Sequence, residues 1–198
     1  PGATLTWTPV DDLQLRASAS RTIARPQFRE LVFQTYYDPE SNRQYNGNPF
    51  LVDSELTNYE LRAEYYLGRS RSVSLAGFYK KIDQPIEAFS SFSDNDQLTR
   101  FANAPSATLF GAELDLQYTH DLVDLGGFFE TKELVLVANY TWTQSEIHVA
   151  AGDITRVFPS ADAPASNFFR DGVPLTGQSD HLANFQIGLE DIDRLQQF

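Results

Sequence analysis

The sequence predicts an all-β chain of antiparallel, up-and-down strands that forms part of a large transmembrane β-barrel. Three observations carry this reading. Apolar and polar residues alternate strictly over long stretches, the connections between those stretches are short and long by turns, and aromatic side chains gather toward the ends of the apolar faces. A period of two places alternate side chains on opposite faces of a strand, and a helix has no such period.

The alternation is plainest over residues 57–67, where Tyr59, Leu61, Ala63, Tyr65 and Leu67 are interleaved with Asn58, Glu60, Arg62 and Glu64. It begins with Ala3, Leu5 and Trp7 set between Thr4, Thr6 and Thr8, then with Leu13, Leu15, Ala17 and Ala19 against Gln14, Arg16, Ser18 and Ser20. Val73, Leu75 and Tyr79 oppose Ser72, Ser74 and Lys80, and Ala112, Leu114, Leu116 and Tyr118 oppose Glu113, Asp115, Gln117 and Thr119. Leu134, Leu136, Ala138, Tyr140 and Trp142 oppose Asn139, Thr141 and Thr143; Ala183, Phe185, Ile187 and Leu189 oppose Asn184, Gln186 and Glu190. These make seven predicted strands and no amphipathic helix.

The connections at 9–12 and 68–71 are short, that at 121–133 is intermediate, and those at 25–55, 83–106 and 149–179 are long and rich in Pro, Gly, Asn, Asp and Ser. A meander built this way carries turns at one end and large loops at the other, as membrane barrels do; soluble sandwiches carry loops of mixed length at both ends. Alternation alone fits either architecture, because an oily face can meet a second sheet or lipid. Runs that reach about 9–11 residues are long enough to cross the hydrocarbon at a tilt. Trp7, Tyr65, Tyr79, Tyr118, Tyr140 and Trp142 lie where interfacial girdles belong. Seven strands do not close a barrel that needs an even number, so the chain is expected to be a piece of a larger wall. Residues 191–194 read as a turn toward a further strand, and the terminal Phe198 as coincidental, because 193–197 does not alternate.

Composition narrows the function. There is no Cys, hence no disulfide framework, zinc-thiolate site or thiol chemistry. A net charge of −12 argues against a nucleic-acid partner, and 13% aromatic residues argue against a disordered acidic tail. No apolar run approaches the length of a spanning helix, and the residues after Pro1 carry no basic n-region or apolar h-region to read as a signal peptide.

Catalytic and metal signals are weak. Ser179, Asp180 and His181 are consecutive, whereas a triad needs separated segments that converge, so a turn entering a strand is the better reading. Asp94, Asn95 and Asp96 lack the rest of a calcium loop, and His120, His148 and His181 lack ligand spacing. Glu60, Glu64, Glu113 and Asp115 share the polar face with Arg62, where charge pairing accounts for them. No enzyme, cofactor or metal is expected. The binding candidates are loop residues: Tyr36, Tyr37 and Tyr45 in the first long connection, Phe89 and Phe92 in the second, Phe168, Phe169 and Arg170 in the third. Exposed rings beside polar groups stack on a sugar or an aromatic chelate; the alternative is that they pack the loops together.

Five stretches then resemble the C-terminal barrel of TonB-dependent outer-membrane receptors, in that family's order. They are "SASRTIARPQFRELV" at 18–32, "GNPFLVDSELTNYELRAEYYL" at 47–67, "SVSLAGFYKKIDQPIE" at 72–87, "GAELDLQY" at 111–118 and "VPLTGQSDHLANFQIGLED" at 173–191. The resemblance implies a 22-stranded barrel in the Gram-negative outer membrane, filled by an N-terminal plug. It implies import of a scarce nutrient (a siderophore, a carbohydrate or a cobalamin-like cofactor) with energy delivered by TonB through a short box before the plug. Residues 1–198 would then all be barrel, without plug or box, and the partners would be TonB, the plug, outer-membrane lipid and a small nutrient. The competing expectations are a small complete barrel serving as adhesin or structural protein, and a soluble carbohydrate-binding sandwich. Within the resemblance Arg25-Pro26 marks a strand leaving the wall. Gly47-Asn48-Pro49 forms a turn before the next strand, and Lys80 and Lys81 end an apolar run at an interface.

Overall fold

The computed structural model describes residues 1–68, 70–93, 96–160, 162–191 and 196–197. Arg69 of the second short turn, Asp94-Asn95, the stretch 192–195 and Phe198 lie outside the described residues. In chain order the elements are β1 (Gly2–Val10), β2 (Leu13–Ala24), a single turn α1 (Phe28–Leu31), β3 (Tyr36–Asp38), β4 (Arg43–Asn46), β5 (Ser54–Tyr66) and β6 (Ser72–Asp83). They continue as β7 (Ile86–Ser93), β8 (Asp96–Asn103), β9 (Ser106–Asp121), β10 (Lys132–His148), β11 (Ile154–Arg156), β12 (Asp162–Pro164), β13 (His181–Asp191) and β14 (Gln196–Gln197).

An eight-stranded sheet runs β1-β2-β5-β6-β9-β10-β13-β14 with every neighbouring pair antiparallel. The seven alternating runs are its long strands; the eighth is β14, which opens the pairing expected beyond residue 191 through Asp191↔Gln196 and Glu190↔Gln197. Strand ends fall where the chemistry places them. β2 stops at Ala24, immediately before Arg25-Pro26, where proline has no N–H for the ladder.

Register lines like with like across the sheet. Leu5, Ala17, Leu61, Gly77, Ala112 and Trp142 form one continuous row of partners on the apolar face. Tyr59, Tyr79 and Phe110 form another, and the Phe110 ring meets Trp142 edge-on at 5.9 Å. This face is bare: Leu5 is 71% exposed, Leu61 68% and Phe185 72%. A sandwich buries its oily face under a second sheet, whereas a surface of this extent left open marks a face meant for another apolar phase. The barrel-wall reading therefore stands and the sandwich does not.

The opposite face is charged and internally paired. Arg62 reaches Glu60 at 3.5 Å and Glu113 and Asp115 at 3.6 Å each, and Arg16 reaches Glu64 at 3.6 Å. The Ser74 hydroxyl donates to Asp115 at 2.9 Å, and Asn139 donates to Glu113 at 3.0 Å. Half-exposed pairs contribute little each, so their role is to satisfy one another on a surface facing away from lipid. The two interfacial lysines divide: Lys81 is in phase with the apolar face and pairs with Asp83 at 3.0 Å, while Lys80 belongs to the polar face.

Gly111 shows how tightly this face is packed. It is the register partner of Phe78, whose ring covers it; a Cβ there would stand 2.7 Å from Phe78 Cζ and run into the Trp142 carbonyl oxygen. Gly111→Ala must push β9 off β10. The barrel is expected to unfold at distinctly lower temperature in detergent gels, and unchanged heat resistance would show that the Trp142 backbone and the Phe78 ring both give way without cost to the wall.

The long connections have a fold of their own. β3, β4, β8 and β7 form a four-stranded sheet in which β4 and β8 run parallel, joining the first connection to the second, and β11 and β12 form a hairpin within the third. The buried apolar cluster among the described residues lies where these loops meet one end of the wall: Ile82, Ala107 and Ile147 from wall strands with Ala102, Ala104, Val157 and Phe169 from the loops, and Leu56, Phe89, Val149 and Phe168 packed against them. Leu56, Ile82, Ala107 and Ile147 stand in the same alternation phase as Arg62 and Glu113. The loops thus fold back over the polar face at one end of the wall.

Candidate functional site

The loop body is held at its centre by Asn48, whose side chain is 1% exposed. Its Nδ2 donates to the carbonyls of Phe101 at 3.1 Å and Arg156 at 2.8 Å; its Oδ1 accepts the amides of Phe50 at 3.1 Å and Phe158 at 3.2 Å. One amide side chain therefore joins all three long connections with its hydrogen-bonding capacity nearly filled. Beside it Gly47 lies so close to the backbone of α1 and Val32 that a Cβ would sit 2.7 Å from the Glu30 carbonyl oxygen. The sequence marks Gly47-Asn48-Pro49 as a turn; the structure makes it the joint of the loop body.

The eight aromatic and arginine candidates separate into two kinds. Tyr36 stacks on Tyr45 at 5.5 Å, and Tyr45 on Phe101 at 6.0 Å. Phe89 meets Phe168 at 5.0 Å and Phe169 at 6.1 Å, and Phe169 is 6% exposed. Each of these five rings packs against another ring of the loop body. Tyr37, Phe92 and Arg170 stand open to solvent, Phe92 by 80%. Local charge also shapes this surface. Burial pushes the Tyr36 hydroxyl up and the Arg100 guanidinium down, while the Ser41 hydroxyl and the Glu40 amide hold the Asp38 carboxyl below its usual range.

Between the loops and the wall lies an open cavity of about 440 Å³. Its floor is the wall itself, through Leu56, Ile82 and Leu109; Arg25, Gln27 and Glu30 line one side, and Glu87, Thr176 and Gln178 the other. Glu87 is 6% exposed and accepts the Thr176 amide at 2.9 Å, and burial pushes its carboxyl above the ordinary range. Sequence reasoning missed Glu87 and Gln178. Neither sits in an alternating run, and the cavity exists only because three distant connections meet.

The remaining sequence signals fall on structural positions. Ser179 and Asp180 lead into β13 and give their carbonyls to the Thr143 hydroxyl and amide, while His181 stacks on Tyr140 and shares a 2.8 Å hydrogen bond with its hydroxyl. Among the described residues, no three His, Cys, Asp or Glu side chains are grouped to hold a metal ion.

A sheet with one bare oily surface, whose charged surface is roofed at one end by its own loops, is a length of membrane-barrel wall. The chain belongs to the TonB-dependent receptor family: that family's model, described as TonB dependent receptor-like, beta-barrel, matches residues 1–196. The fold is similar to that of the siderophore receptor PirA from Pseudomonas aeruginosa, with 12% identity and a TM-score of 0.53 over 96% of this chain and 35% of that one. A mutant of the ferric enterobactin receptor PfeA from the same organism gives 20% identity and a TM-score of 0.49 over 96% and 31%. The chain thus spans about a third of the length of these receptors. Among curated proteins nothing matches.

Proposed function

We propose that the chain is barrel wall and surface loops of a Gram-negative outer-membrane receptor that captures a ferric siderophore and passes it inward with TonB-coupled energy. Residues 1–198 are assigned to the barrel, with the plug and TonB box elsewhere in the full-length receptor and outer-membrane lipid against the apolar face. The observation that carries the reading is the loop body folded over the polar face, with a cavity between loops and wall and side chains open to solvent on the loops. Family membership supports a transport role, and the siderophore class is the one borne by the names of PirA and PfeA. No residue is given a catalytic role. Tyr37, Phe92 and Arg170 are the capture residues of this reading; Tyr36, Tyr45, Phe89, Phe168 and Phe169 shape the surface that presents them.

The test is uptake of radiolabelled ferric siderophores by iron-starved cells carrying the full-length receptor or none. The receptor should appear in the outer-membrane fraction, rise on iron starvation, and confer uptake of at least one ferric chelate. A receptor that confers none, while assembled, ends the siderophore reading. Replacing Tyr37, Phe92 and Arg170 together by Ala is expected to weaken capture about tenfold, equivalent to about 1.4 kcal/mol. Unchanged affinity would move the capture site away from these three.

A further inference from the structure

We infer that the cavity under the loops is a subsite for a primary ammonium group of the substrate, received by the Glu87 carboxylate. The inference rests on the siderophore-receptor reading and adds the chemistry of one arm of the ligand.

Glu87 is 6% exposed yet lines the cavity, and the Thr176 amide is the hydrogen-bond donor it meets. A carboxylate offers about four acceptor sites, so most of its capacity is unused. Among the described residues no cation offsets it: burial raises its pKa, and only Thr176 acts in the other direction. A buried carboxylate without a cation is costly, and a cation brought by a ligand relieves that cost.

The other charged groups of the lining do not neutralise Glu87. Arg25 is 79% exposed and lies 3.9 Å from Asp53, and Glu30 is engaged by the Gln27 amide at 2.8 Å. The cavity therefore offers a carboxyl with unused acceptor capacity above an apolar floor of Leu56, Ile82 and Leu109. A primary ammonium on a methylene arm matches each feature: three donors, one compact positive charge, and a stem for the floor. A catecholate arm would bring negative charge against Glu87.

The experiment uses the purified full-length receptor and two probes, the ferric complex of a linear trihydroxamate with a free terminal amine and the same complex N-acetylated. Wild type is expected to bind the amine form about tenfold more tightly, as a charge-assisted contact implies. Glu87→Gln keeps an acceptor for the Thr176 amide; it should bind both forms alike, at the wild-type affinity for the acetylated one, which also shows that the site is folded. Equal binding of the two forms by wild type, or a preference that survives Glu87→Gln, overturns the subsite and leaves the siderophore reading standing. Failure to bind either form, together with failure to bind a ferric catecholate, overturns that reading and the subsite with it.

Discussion

A full-length receptor carrying Leu61→Arg is expected to be lost from the outer membrane, while one carrying Glu60→Gln assembles at close to the wild-type level. The two residues are adjacent in β5 and differ only in the face they occupy. Leu61 is 68% exposed on the apolar face, in the row of Ala17 and Gly77, and the aromatic row of Tyr59 and Tyr79 stands beside it. An arginine near the middle of a barrel's lipid surface costs about 2–4 kcal/mol, enough to remove much of the stability of an ordinary domain. Glu60 lies on the other face, half-exposed and 3.5 Å from Arg62. Glutamine keeps the hydrogen-bonding shape there, and an ion pair this open is worth about 0–1 kcal/mol. Blotting of outer-membrane fractions, with heat-shifted gel mobility as the index of a folded barrel, reads both. Equal loss, or greater loss for Glu60→Gln, would remove the assignment of faces.

Asn48→Leu should produce the opposite kind of defect, a wall that assembles under loops that do not. Leucine has the same branching at Cγ, with bulkier methyl ends, but satisfies none of the four backbone groups that Asn48 holds: the carbonyls of Phe101 and Arg156 and the amides of Phe50 and Phe158. An unmatched buried group costs about 1–3 kcal/mol, so the loss amounts to roughly 3 kcal/mol or more even after relaxation and entry of water. It falls on the loop body, because the wall ladders do not pass through Asn48. Intact cells exposed to protease should show cleavage within the long connections of the variant, with normal heat-shifted mobility of the barrel and loss of ligand binding. Loops as resistant as wild type would mean that Asn48 is not the joint described.

The wall was legible in the sequence almost to the residue. The predicted long connections at 25–55, 83–106 and 149–179 lie between strands that end at Ala24, Asp83 and His148 and resume at Ser54, Ser106 and His181. Strand pairing is local along a meander, and alternation reports directly which side chains share a face, so each stretch carries its own information. The loop sheet was not legible. The pairing of Tyr45 with Thr99, or Asn46 with Arg100, joins short segments far apart in sequence, and nothing within either segment announces its partner.

The site divides in the same way. Residue type alone was enough to single out the aromatic loop residues, because large rings in polar connections are unusual wherever they end up. It could not tell Phe169, buried against Phe89, from Phe92, open at a hairpin tip, since that difference depends on what another loop places nearby. Glu87 was invisible for the same reason: a single glutamate becomes a buried acceptor only when Thr176 and the wall close around it. By itself the sequence determined the long wall strands, their order and the polarity of their two faces, all properties of neighbours along the chain. Whether the oily face was covered, which rings remained open and which carboxyl was buried were decided only in the tertiary structure, because burial is set by residues brought together from distant parts of the chain.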